Sequence, residues 1–127
     1  MKDTLNRNEW IVMGALWEKS PMTLSETIKQ IGNRANWNYK TYQSYMVILE
    51  KKGYISAEKR GRDKFYFPIL SREECVKKEG QSLMDKLGSE SIKLLMANMV
   101  RESDLEKEDY AELMDLLEAL LKREDKK

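Results

Sequence analysis

The chain has 127 residues, 35% of them charged and 41% hydrophobic, with a formal net charge of +1 at pH 7. This length buries one modest core and leaves no room for a large multi-domain enzyme. A single cysteine and no histidine exclude an internal disulfide, a cysteine-rich zinc site and the commonest general base and metal ligand, so neither cofactor nor metal is expected.

The small net charge hides an asymmetry. Residues 1–70 carry 12 Lys plus Arg against 7 Asp plus Glu, a net +5, whereas residues 71–127 carry 11 against 15, a net −4. Basic patches supply the sequence-independent part of nucleic-acid affinity, and an acidic segment is repelled by phosphate. Two regions with different tasks are therefore expected, 1–70 and 71–127. The N-terminal MKDTLNRNEW has no apolar run, and no segment approaches the roughly 20 apolar residues of a membrane span, so the expectation is a cytoplasmic protein without membrane insertion.

In chain order, Asn6 with Glu9 forms a capping-box signature for a first helix, whose apolar stripe is Trp10, Met13, Leu16 and Trp17. The two tryptophans read as packing residues, because large aromatics on an amphipathic stripe dominate burial. Ser20 and Pro21 end this helix. Thr23 with Glu26 caps a short second one carrying Leu24, Ile28 and Ile31, and the polar segment from Gly32 to Asn36 turns the chain. Asn38 caps a third helix that Gly53 stops; its buried face is Tyr42, Tyr45, Met46 and Leu49. The opposite face holds Lys40, Ser44, Val47 and Lys51, with Thr41, Gln43 and Ile48 on its shoulders. Beyond Gly53 the period changes to that of strands, over Tyr54 to Lys59 and Phe65 to Ile69, with a turn from Arg60 to Lys64. Three helices followed by a basic hairpin outline a winged helix-turn-helix.

The remainder is helical. Ser71 to Leu87 carries Val76, Leu83, Met84 and Leu87, Gly88 breaks it, and Ser89 to Glu102 presents Ile92, Leu95, Met96, Met99 and Val100. Ser103 and Asp104 offer a cap for a last helix with Tyr110, Leu113, Leu117, Leu120 and Leu121, widened by Met114 and Leu116. These faces are too few to enclose a core of their own, and closed two-fold homodimerisation is their simplest use. The fold class is thus mainly α with a small β-hairpin: an N-terminal winged helix-turn-helix and a C-terminal helical dimerisation region. Cys75, on a helix, reads as a small packing residue.

Base readout in the major groove requires side chains that donate or accept at base edges, which Thr41, Gln43 and Ser44 do. Lys40 and Lys51, at the two ends of the third helix, suit phosphates, as do Arg60, Arg62 and Lys64 of the wing. Double-stranded DNA is the expected partner. A winged helix that binds protein instead is the competing class; no glycine-rich phosphate loop or nucleophile motif supports an enzyme.

The succession EWIVMGALWEK, TLSETIKQI, NWNYKTYQSYMVILEKKGYI and KFYFPILSREE, continuing to SIKLLMANMVRESDLEKEDYAELMDLL, resembles the penicillinase-repressor family of bacterial transcriptional regulators over nearly the whole chain. The resemblance implies a dimeric winged-helix repressor on a palindromic operator, with Lys40, Thr41, Gln43 and Ser44 as recognition-helix contacts and a C-terminal dimerisation region. It also implies release through a sensor protease pathway that cleaves within that region, where Asn98 and Met99 occupy the position of the family's Asn-Phe scissile bond. The family often carries Pro at Tyr39, Arg at Gln43, Thr at Ser44 and Arg at Ile48, so an altered operator sequence or weaker binding is expected. A cysteine-rich tail of the family's copper-responsive branch has no counterpart in LLKREDKK.

Overall fold

The computed structural model describes residues 4–125, and their side chains except at Leu121, Arg123, Glu124 and Asp125. Helix α1 (Arg7–Glu18) opens on a reciprocal capping box: the Glu9 N–H donates to Asn6 Oδ1 at 2.8 Å and the Asn6 N–H to Glu9 Oε1 at 2.8 Å. Helix α2 (Leu24–Ile31) repeats the device with Thr23 and Glu26, and a 3-10 turn over Gly32–Arg34 follows. Helix α3 (Tyr39–Lys52) is capped by Asn38 and stopped by Gly53, whose left-handed φ of 84° lets the chain turn at once into β1 (Ile55–Arg60). Strand β2 (Asp63–Pro68) pairs antiparallel with β1, from Ile55 opposite Pro68 to Arg60 opposite Asp63. Each of these ends is set by a residue type acting on its own neighbours.

Two features of the hairpin differ from expectation. The hairpin loop is Gly61-Arg62 alone, not Arg60 to Lys64, because the ladder continues through Lys59–Lys64 and Arg60–Asp63. Met22, before α2, also joins the sheet through a bridge to Tyr66, with N–H to carbonyl bonds of 3.0 and 2.7 Å in the two directions. That pairing ties the wing to the helices.

Met13, Leu16, Met22, Ile31, Met46, Leu49, Tyr54 and Ile55 form the centre of the core, with contributions from α1, α2, α3 and β1, and Tyr66 of β2 closes it. Trp10 and Trp17 stack edge-to-face at 5.6 Å and pack half-buried against it. The Trp17 indole N–H donates to the Leu70 carbonyl at 3.0 Å, and the Arg72 guanidinium covers its ring at 5.0 Å. Glu18 accepts two bonds from Arg34 and one from the Gln30 amide, and these, Arg34 first, hold its carboxyl below the usual range.

Helix α4 (Arg72–Glu102) starts at a Ser71 and Glu74 capping box and is interrupted at Gly88, which leaves helical geometry at φ 82°, ψ 165°. The last value belongs to a region that side-chain-bearing residues essentially avoid, so Gly88 divides the helix where the sequence places a break. Cys75 is its buried residue at 2% exposure, whereas Val76, Met84 and Leu87 of the expected apolar face are exposed. Helix α5 (Lys107–Asp125) begins later than Ser103 and Asp104 suggest. The Ser103 hydroxyl instead bonds back to the Val100 carbonyl at 2.9 Å, and the Asp109 carboxylate accepts the Glu106 N–H at 3.1 Å, so this local acidic cap outcompetes the upstream one. The chain divides into two compact units, Met1–Lys86 and Leu87–Lys127.

Candidate nucleic-acid interface

The entry to α3 is built by aromatic packing. Trp37 lies against both Tyr42 and Tyr45, with ring centroids 4.9 Å away in each case. The Tyr42 hydroxyl donates to the Ala35 carbonyl at 3.2 Å and accepts the Trp37 N–H at 3.3 Å, and Asn8 donates to the Tyr45 hydroxyl at 2.9 Å. At the other end Lys52 Nζ lies 2.9 and 3.0 Å from the two carboxylate oxygens of Glu9, which is 2% exposed, and 3.5 Å from the Thr4 carbonyl. The helix is therefore clamped to α1 by a neutral hydrogen bond midway and a part-buried ion pair at its end. A charged group buried in this way is tolerated because it is both paired and hydrogen-bonded.

With one face clamped, the other is open. Lys40, Gln43, Ser44, Val47 and Lys51 are all exposed, and the four polar ones make no hydrogen bond or ion pair among the described residues. Thr41 differs: half-buried, its hydroxyl donates to Asn38 Oδ1 at 3.0 Å beside the backbone cap at 2.9 Å. It orders the start of the helix. Val47 at 50% and Ile48 at 39% exposure add an aliphatic patch two turns into it.

The three basic residues of the wing are not equivalent. Arg60, on β1, pairs with Glu58 at 3.1 Å and covers the Phe65 ring at 5.1 Å; Lys64, on β2, reaches Glu50 of α3 at 3.4 Å and lies 5.3 Å from the Tyr66 ring. Arg62 projects from the two-residue tip with no ion pair among the described residues. Its charge is the least compensated of the three. Lys64 also ties the wing to α3, a coupling that sequence position does not reveal.

The clamp residues Trp37, Tyr45, Asn8 and Lys52 escaped sequence reasoning as a set. One signal was present in Glu9, which shares the stripe of Met13 one turn on and so places a carboxylate where only a paired charge is stable. Among the described residues no group of His, Cys, Asp and Glu could hold a metal, and no helix is long and apolar enough to cross a membrane.

In the second unit, Leu95, Tyr110 and Leu113 are half-buried, and Met99, Leu117 and Leu120 are exposed; the Leu121 side chain lies outside the described residues. The Tyr110 hydroxyl donates to the Val100 carbonyl at 3.0 Å, joining α5 to the end of α4. Asn98 and Met99 lie exposed within α4, where the Asn98 amide oxygen accepts from Arg101.

A family model described as penicillinase repressor matches residues 5–119. The chain belongs to the penicillinase repressor family. It is 26% identical over 107 residues to the penicillinase repressor of Bacillus licheniformis, covering 84% of each chain. It is likewise 26% identical over 109 residues to the methicillin resistance regulatory protein MecI of Staphylococcus aureus strain N315, covering 86% of this chain and 89% of the relative. The solution structure of the DNA-binding domain of the repressor BlaI superposes with a TM-score of 0.51 at 30% identity, over 58% of this chain and 93% of that one. Family membership and this likeness agree with a winged helix-turn-helix in the first unit of a transcriptional repressor.

Proposed function

We propose that this family member represses transcription as a homodimer on a pseudo-palindromic operator, each winged helix reading one half-site. The observation that carries the reading is the open face of α3, where Lys40, Gln43, Ser44 and Lys51 stand exposed and unpartnered among the described residues beside a wing tipped by Arg62. Gln43 and Ser44 act at base edges. Lys40 and Lys51 neutralise phosphates at the two ends of the helix, Arg62 does so from the wing, and Arg60 and Lys64 add partly compensated charge. A net +5 on residues 1–70 supports the electrostatic part.

The dimer is formed by residues 71–127, functionally the dimerisation domain, through Leu95, Met99, Tyr110, Leu113, Leu117, Leu120 and Leu121. The support is apolar exposure within that set: Met99 is 54% exposed, Leu120 47% and Leu117 38%, an unpartnered apolar face that a second copy would cover. Release follows cleavage between Asn98 and Met99 by a sensor protease pathway, which separates the two DNA-binding units and removes the effective concentration linking the half-sites. Since that bond lies inside α4, local unwinding has to precede cleavage.

A gel-shift selection from random duplex DNA tests the central claim. Recovery of an inverted repeat, with half-site centres one or more helical turns of about 10 base pairs apart, is the expected result. Recovery of no repeat, together with salt-insensitive binding, overturns it.

A further inference from the structure

We infer that α3 reads thymine methyl groups through Val47 and Ile48, so that each half-site carries A·T pairs where these side chains meet the groove. The inference rests on the reading that α3 enters the major groove, and names what it recognises there. Its first support is a mismatch between chemistry and place. Two branched aliphatic side chains, 50% and 39% exposed, stand on the face that also presents Lys40, Ser44 and Lys51. Lysines on both sides favour a polyanion over an apolar protein surface as the occupant. Within the major groove the apolar group displayed by base edges is the thymine C5-methyl, so it is what an isopropyl or sec-butyl group can bury there.

Geometry sharpens the assignment. Gln43 lies one turn before Val47, and Ser44 one turn before Ile48, which places each polar reader on the same helical line as an aliphatic one. A glutamine amide matches adenine N6 and N7, so a Gln43 contact to adenine and a Val47 contact to thymine fall on neighbouring A·T pairs. Both aliphatic side chains are β-branched and hold one dominant rotamer in a helix, so docking a methyl against them costs little side-chain entropy. No arginine occupies this face, which carries Lys40, Thr41, Gln43, Ser44, Val47, Ile48 and Lys51, so the strongest bidentate reader of guanine is missing from it.

The test uses the full chain and the operator it selects. Thymines are replaced one at a time by deoxyuridine, which removes the methyl and leaves base pairing intact, and binding is measured for the unaltered chain, Val47→Ala and Ile48→Ala. Both variants are exposed-site changes within a helix, to a residue that favours helices, so folding is retained. The expected result is one or two thymines per half-site whose replacement weakens binding about fourfold, the equivalent of one buried methylene, with that penalty erased in Val47→Ala or Ile48→Ala. A selected operator that is indifferent to every deoxyuridine overturns the inference and leaves repression by operator binding intact. A methyl penalty that survives in both variants also overturns it, since other residues then read the methyl. Failure to select any sequence overturns this inference and the proposed function together.

Discussion

On the proposed function, single side chains divide between reading bases and holding phosphates, and the division is measurable. Gln43 is exposed and unpartnered among the described residues, so Gln43→Ala is expected to relax preference at one operator position by about 1–3 kcal/mol of discrimination. Arg62→Ala should instead weaken binding to all duplexes and reduce the slope of affinity against salt by about one phosphate contact. Uniform losses in both variants, measured by gel shift over a range of salt, would overturn the division. Arg60 and Lys64 should give smaller changes than Arg62, because Glu58 and Glu50 already offset part of their charge. At Cys75, burial first and then the Glu74 charge push the thiol pKa up, so the thiolate is scarce at neutral pH. A thiol reagent is expected to react slowly with the native chain and promptly once denaturant unfolds it; equal rates would place Cys75 at an accessible site.

Among the elements, α3 is placed by contacts that its own sequence does not contain. Its outer face is useful only if the inner one is immobile, and the Glu9 to Lys52 ion pair is the contact furthest from its cap. Lys52→Met leaves a carboxylate at 2% exposure without its cation, an expected loss of about 1–3 kcal/mol, below the usual cost for a fully buried pair because Lys52 is itself 31% exposed. Glu9→Gln combined with Lys52→Met should lose less than Lys52→Met alone, since glutamine keeps the capping box and removes the stranded charge. Denaturant midpoints of Glu9→Gln, Lys52→Met and the double variant decide this. An additive result would mean that Lys52 acts through packing of its aliphatic stem.

For the whole molecule, the proposal that two copies act together belongs to the second unit. Leu117→Asp, at an exposed apolar position of α5, is expected to give monomers in sedimentation and to lower operator affinity while the first unit, Met1–Lys86, unfolds at an unchanged midpoint. The mechanism is the lost effective concentration of the second half-site, with no DNA contact altered. A variant that stays dimeric would put the interface on other residues, the exposed Leu94, Met96 or Leu116 foremost.

The starts of the first four helices and the stops at Gly53 and Gly88 could be read from sequence, because Asn6 with Glu9, Thr23 with Glu26, Asn38 and Ser71 act on groups three residues away. The start of α5 was misplaced because two local caps competed and the acidic pair at Glu106 and Asp109 prevailed. The open face of α3 followed from helical periodicity alone. The Met22 to Tyr66 bridge, the Lys52 clamp and the tether from Lys64 to Glu50 join residues distant in sequence or on separate elements, and no local pattern encodes them. Sequence by itself determined which segments form and which of their faces are polar, since propensity, capping and periodicity act over a turn or less. Only the tertiary structure decided which charges remain uncompensated for DNA, because compensation depends on which elements come within ion-pair distance after folding.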